Sequence, residues 1–446
     1  MTSASPPANT GVASAAAPEM LPGGARWRIF FYLTGLFLVL AFASPSGGLI
    51  DIPISFLLKN KLHLTAVQVA QFRLIAGLPL FFSWVFGFLR DVWNPLGMSD
   101  RGFLVLFGAA SAVLYALFAF IPVTYLTLLV ALVLLTSAFL FIASAQKGLT
   151  ATIGQQHVMS GQISSALNVV GSLTAVAALL LGGKLSSALA LKNADDTART
   201  LFLVGAGIMV LVVVYAAWRP GVVFDNVRDE RGERPRLSED IKRLLRHWPI
   251  YPALLVWLLW NFSPGAATPL QYHLQNTLHA SDAAWGQWNA VFAASFIPTF
   301  LAYGYLCRRF ALRRLLWWGT AIAVPQMVPL LFIHSIPAAL IAAVPMGLMG
   351  GIATAAYIDL LIRCCPRGLQ GTTLMISNTF LFVVTGFGDL LGTALYDRFN
   401  NFTVCVIAIT VVYALILPTL LLVPKHLTAN ADGEARDRGY AEDEAP

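Results

Sequence analysis

Several ionisable side chains of this 446-residue chain stand inside or at the edges of long apolar runs: Asp51, Arg73, Lys147, Asp359 and Asp389. A charge at the centre of a bilayer costs at least ~2.5–3.5 kcal/mol. Such a group therefore faces water, an opposite charge or another polar partner. The chemistry open to this set is binding and release of a proton, recognition of a charged solute, or pairing between helices. Asp51 follows Ser44-Pro45-Ser46-Gly47-Gly48, a cluster that breaks a helix and frees backbone carbonyls, as in the discontinuous helices that line carrier sites. It either binds a proton or solute or caps a turn near the outer interface. Arg73 either pairs with Asp51, binds an anion, or snorkels to the headgroups. Lys147 and Asp359 occupy corresponding places toward the inner ends of two runs, where they pair, titrate or close an inner gate. Asp389, among Gly386, Phe387 and Gly388, either carries a proton or hydrogen-bonds a neighbouring helix.

A second set is neutral. Trp260 and Tyr272 offer faces on which a flat heterocycle stacks, and the amides of Asn261 and Gln271 could bond its edges. Trp260 and Asn261 precede Ser263-Pro264-Gly265, another expected break. Asn168 and Asn378 either face solute or bond between helices. No Gly-rich phosphate loop ends in Lys-Ser or Lys-Thr, and no His or Cys spacing suits a metal. Cys307, Cys364, Cys365 and Cys405 read as packing residues. The chain is therefore expected to be no enzyme, to need no cofactor and to use no ATP.

The elements that position these groups follow from composition. Hydrophobic residues make up 57% of the chain and charged ones 11%, against about 25% charged in an ordinary soluble protein. Too few charges remain to cover a water-facing surface. The apolar runs lack the period-two alternation of a membrane barrel, and many reach the length of about 20 residues that crosses a bilayer as a helix. Spans are expected at 28–56, 67–89, 103–121, 123–146, 160–188, 199–218, 248–277, 284–306, 314–333, 336–362, 370–395 and 402–424. Pro122 and Pro337 sit in the tightest turns between them.

With the N-terminus inside, inner segments hold most of the Lys and Arg. Outer loops hold Lys59, Lys61, Lys184, Lys192, Arg199 and Arg398. This bias puts both termini in the cytoplasm and agrees with an even number of spans. The net charge of +7 is thus a topology signal, with no nucleic-acid partner implied. The expected organisation is a disordered tail over 1–27, a six-helix bundle over 28–218, a cytoplasmic connector over 219–247, a second six-helix bundle over 248–424 and a disordered acidic tail over 425–446. Within the connector, 237–245 has the pattern of a surface amphipathic helix. The first apolar run is too long for a cleaved signal and is read as a retained span.

The halves repeat. Gly161 leads to Asn168 and Gly182, and Gly371 leads to Asn378 and Gly392, at matching offsets. Gly87 leads to Arg101 as Gly304 leads to Arg313 and Arg314. Two parallel repeats suit a carrier that rocks its halves about a central site.

Gly87-Phe88-Leu89-Arg90-Asp91, followed by Asp100-Arg101-Gly102, resembles the signature loop of the major facilitator superfamily. The resemblance implies an all-α fold of twelve transmembrane helices in two pseudo-symmetric bundles. It also implies that Gly87, Arg90, Asp91 and Arg101, with Arg308 and Arg313 opposite, form an inner gate. Within that superfamily the chain resembles the folate–biopterin transporters over about 47–396. Gly87, Asp91, Pro95, Leu96 and Gly97 match in order, as do Trp260, Pro264, Ala267 and Tyr272, and then Pro366, Gly368, Gly371 and Thr372. It departs at Pro79-Leu80-Phe81-Phe82-Ser83, where that family has a Lys after Pro-Trp, and at Lys147-Gly148-Leu149, where it has an Asp.

The expected function is secondary active transport of a small solute by alternating access in a bacterial inner membrane. Proton coupling is expected through Asp51, Asp359 or Asp389; by resemblance the carrier is a monomer and its substrate is pterin- or folate-like. An exporter of amphipathic solutes and a non-transporting receptor or assembly factor on the same fold are the alternatives.

Overall fold

The computed structural model describes residues 23–224 and 237–434 and is helical throughout its ordered elements. Among the described residues, ten segments are long and apolar enough to cross a membrane. Two more spans are broken into shorter helices and complete the twelve. The second span runs as Ala66–Ala76, Leu78–Phe81 and Ser83–Val92. Its breaks fall at Gly77, just before Pro79, where proline supplies no amide to the turn behind it, and at Phe82. The seventh span runs as Ile250–Asn261 and Thr268–Tyr272 around the expected Ser263-Pro264-Gly265 break. The first span breaks as its sequence predicts, ending at Ala43 and resuming over Asp51–Phe56.

The first six spans pack round one core and the last six round another. In the first, Tyr32, Leu36, Phe103 and Tyr115 are fully buried. In the second, Tyr303, Ala343, Met346 and Tyr357 are. The halves meet through the second span against the eleventh (Gln370–Phe399), and through the fifth (Ser160–Ala188) against the eighth (Ile297–Leu306) and tenth (Ile336–Cys364).

Some boundaries differ from expectation. The fourth span was expected to end at 146 but runs Tyr125–Gln156. Its last turns are small and polar rather than apolar, so helix continues beyond the apolar stretch. Lys147 therefore lies well inside the helix and not at its end. The helix Gly221–Phe224 packs on the first bundle through buried Val223 and through Phe224, whose ring meets Tyr32 edge-on at 5.4 Å. The connector proper starts later than 219 for that reason. Its helix Leu237–Arg246 leaves Ile241 and Leu245 exposed, as a surface-lying helix would.

The acidic tail needs the largest correction. Residues 425–434, expected to be disordered, form a short helix over Lys425–Thr428 and then a buried turn in which Asp432 is 5% exposed. Charge composition suggested solvation, but a buried arginine is its partner. The expected N-terminal tail also shortens, since helix begins at Gly23. Its residues 1–22, and the last residues of the C-terminal tail, lie outside the described part.

Candidate transport site and gates

The second span ends in Arg90 and Asp91, both buried. Arg90 donates from Nε to Asp100 Oδ1 at 2.5 Å and from Nη1 to Asp91 Oδ1 at 2.6 Å, and its Nη2 also meets Asp100. A guanidinium can serve two carboxylates because its donors fan out in a fixed plane. Asp91 crosses to the other half. It accepts the Gly371 amide at 3.2 Å, the Thr372 amide at 2.6 Å and the Thr372 hydroxyl at 2.7 Å. These are the unpaired first amides of the eleventh span, where a carboxylate also meets the favourable end of the helix dipole. Gly87 sits one turn before Asp91, and a Cβ there would lie 2.6 Å from Gly371 O. The glycine lets the two helices touch.

The same face holds further bonds between halves. Gln155 Nε2 donates to Ile362 O at 2.8 Å and Cys365 O at 2.7 Å, and Ser164 and Ser165 donate to Ala355 O and Phe300 O. Lys147 Nζ donates to Asn378 Oδ1 at 2.6 Å, and Asn378 Nδ2 to Ser83 Oγ at 3.0 Å. These bonds lie in the part of the bundle nearest the chain ends. Toward the opposite face, Asp51–Phe56 packs within the first half and Thr268–Tyr272 within the second. The molecule is closed at the face that carries its described ends and parted beyond.

Between the halves lies a cavity of about 500 Å³. Its aromatic wall is Phe37, Trp260, Phe292, Phe296, Phe300 and Tyr413. Asn168, Ser172, Ser263, Gln326 and Thr354 supply polar points, and no charged side chain lines it. Gln326 is almost wholly buried, yet its Oε1 has no hydrogen-bond partner among the described residues. Trp260 is held by Tyr413, stacked at 4.7 Å, and by Tyr357, edge-on at 5.4 Å.

The sequence-nominated residues fall into separate places. Asn168 and Trp260 line the cavity. Asn261 donates to Trp257 O at the end of its helix, and Tyr272 lies past the break and half exposed, so Trp260 and Tyr272 do not form one sandwich. Asp51 and Arg73 do meet, at 3.6 Å, in a separate small pocket on the parted side. Asp389 accepts the Thr268 amide at 2.9 Å and its hydroxyl at 2.6 Å, tying the eleventh span to the seventh. Lys147 and Asp359 do not pair. Lys147 takes Asn378, whereas Asp359 accepts Arg363 Nε at 2.8 Å and the Tyr303 hydroxyl at 2.9 Å. Arg101 donates to Ala216 O and Ala217 O, closing the sixth span of its own half instead of facing the other. Arg308 and Arg313 are exposed, and Arg313 lines a crevice made by the second half alone. Sequence reasoning missed Asp100, Gln155, Arg363 and Asp432. The i, i+4 spacing of Asp359 and Arg363 was the one local signal available.

A sequence profile of the Major Facilitator Superfamily matches residues 160–388 and 265–440, well over half of the chain. The chain belongs to the major facilitator superfamily. Solved structures of superfamily transporters share its fold. FucP in an outward conformation has 16% identity and a TM-score of 0.67, with 90% of this chain and 99% of that one covered. FucP is the fucose:proton symporter of E. coli. The human organic anion transporter TETRAN has 14% identity and a TM-score of 0.63, covering 90% of this chain and 100% of its own. A bacterial homologue of the iron transporter ferroportin, in an outward-facing state, has 16% identity and a TM-score of 0.64, covering 88% and 98%. No curated protein matches the chain in sequence. Family and fold together make this superfamily member a multi-pass membrane transporter rather than an enzyme.

Proposed function

We propose that the chain carries a small, ring-bearing solute across the membrane by alternating access, with the solute bound in the aromatic cavity between its halves. The observation that carries this reading is the composition of that cavity. Six aromatic rings line it, Gln326 holds an unmatched acceptor, and no lining charge demands a counter-ion. Burying an aromatic face contributes through area, and a donor delivered to the Gln326 oxygen removes the cost of leaving it unpaired. A solute with a flat neutral ring and hydrogen-bonding edges fits, and an unconjugated pterin has that form. The folate–biopterin resemblance points the same way, because Trp260 belongs both to its motif and to the cavity wall. The lining gives a dianionic glutamate tail no cation, so within that class pterin is favoured over folate. The aromatic wall equally favours a second reading, an amphipathic solute with an apolar body.

Coupling to protons is proposed through Asp51, which faces Arg73 on the parted side and keeps 28% of its side chain exposed. The bacterial inner membrane, the cytoplasmic placement of both ends and a monomeric carrier complete the proposal, the placement of the ends resting on the Lys and Arg bias of the loops.

The test is the melting midpoint of the purified protein against pterins, folates, nucleosides, amphipathic cations and amino acids. A ligand that binds only the folded state at 100 times its Kd adds about 2.7 kcal/mol. A rise with pterins that is lost in Trp260→Ala and Gln326→Leu is the expected result. A rise with amphipathic cations alone replaces the pterin reading by the second one. A ligand whose effect survives both substitutions binds outside this cavity and defeats the assignment of the site.

A further inference from the structure

The two gates of the closed face are related by the sequence repeat, but one lacks a residue. Gly371 and Gly161 are the second residues of the eleventh and fifth spans. In the first gate, Asp91 lies against Gly371, so that a Cβ there would come within 2.7 Å of Asp91 Oδ1, and the amide of the next residue, Thr372, donates to Asp91. Asp91 follows Gly87 by four residues. The repeat partner of Gly87 is Gly304, and four residues after it stands Arg308, exposed and of the wrong charge. The second half carries no carboxylate in that register.

The chain's own tail brings one. Asp432 Oδ2 accepts the amide of Gln162, the residue after Gly161, at 2.9 Å; a Cβ on Gly161 would come within 3.1 Å of the same oxygen and within 2.7 Å of Asp359 Oδ2, which among the described residues takes no amide of the fifth span and is held instead by Arg363 and Tyr303. Asp432 N donates to Cys307 O at 2.9 Å, which sets the residue beside the vacant register at Arg308. The arginine is supplied as well. Arg363 donates to Asp432 Oδ1 at 2.8 Å and to both oxygens of Asp359, as Arg90 serves Asp91 and Asp100. Its Nη1 holds the Asn430 carbonyl at 2.9 Å, and the Gly433 amide crosses to Val158 O at 2.9 Å. The turn thus bonds to both halves at once.

We propose that Asp432, delivered by the segment Leu427–Glu434, is the gating carboxylate of the second half. The halves then part at this face only when that segment leaves Gln162 and Val158. This rests on the reading of the chain as an alternating-access carrier. Asp432 is a positioning residue, touching no solute. The tail thereby sets the conformational balance, because breaking a bond to a charged group weights the parted state.

The experiment is hydrogen–deuterium exchange on the full, detergent-purified protein, read at Gly371 and Thr372. Those amides bond to Asp91 in the other gate, and among the described residues none of the tail bonds to them. Asp432→Asn, and a chain ending at Thr428, should each speed exchange there by about tenfold, the effect expected for losing one buried hydrogen bond to a charge. Asp432→Glu, which keeps the carboxylate, should stay within about threefold of the natural protein. Melting midpoints close to the natural value show that the variants are folded. Faster exchange confined to Gln162 and its neighbours, with Gly371 and Thr372 unchanged in both variants, overturns the proposal, since the tail would then be a local cover only. No solute enters this measurement. Its failure leaves the carrier reading standing, and a silent ligand screen leaves the gate.

Discussion

At the residue scale, what distinguishes the carboxylates is whether water can reach them and how many partners they hold. Asp359 is fully buried and engaged by Arg363 and Tyr303. Asp389 serves as an acceptor for Thr268. Asp51 has one cation at 3.6 Å and partial exposure, so unlike Asp359 it can exchange a proton without dismantling a buried pair. Asp51→Asn is expected to abolish stimulation of uptake by an inward proton gradient while leaving solute binding intact. Asp389→Asn should lower the melting midpoint by the equivalent of about 1–2 kcal/mol, with coupling preserved. Gradient-driven uptake measured in proteoliposomes decides this; undiminished stimulation in Asp51→Asn removes Asp51 from the coupling role.

At the element scale, the seventh span shows why a broken helix suits a binding site. Gly265 sits at φ +111°, a conformation that side chains rarely adopt, and a Cβ there would meet Cys405 Cβ at 2.5 Å. The break turns the chain so that Trp260 and Ser263 line the cavity while the Thr268 amide caps onto Asp389. Gly265→Ala should cost about 1–3 kcal/mol through strain and overlap and displace Trp260. A lowered melting midpoint together with weakened ligand binding is expected. A midpoint equal to that of the natural protein contradicts this account of the break. The sequence announced this break and the one after Ala43 through Pro and Gly alone. It missed the length of the fourth helix, because helix propensity continued where hydropathy stopped.

At the scale of the whole molecule, two compact bundles touch at one face and part at the other. Trp84 N and Thr379 Oγ1 are 3.2 Å apart across the closed face. Pairing Trp84→Cys with Thr379→Cys should therefore give a disulfide that holds the face shut. Flux of the solute found by melting should stop on oxidation and return on reduction. Binding of the same solute should persist, because the cavity is reached from the other side. Flux that continues through the cross-linked protein is incompatible with rocking of the halves.

Much of this protein was legible in its chain because hydropathy and punctuation are local. Apolar runs report which segments avoid water, Pro and Gly report where a helix must break, and the offset from Gly161 to Asn168 recurring from Gly371 to Asn378 reports duplication. The helical spans and their division into two halves follow from such signals, and the superfamily from the resemblance carried by the Gly87–Asp91 loop. Only the tertiary structure decided which charges meet. Lys147 finds Asn378 and not Asp359, Arg101 closes its own half, and Asp432 reaches Gln162 from 270 residues away. A buried charge takes whichever partner packing brings within reach, and its energy depends on distance and burial rather than on order along the chain. That is why the tail, whose acidic composition resembles solvated chain, holds a buried ion pair in the folded protein.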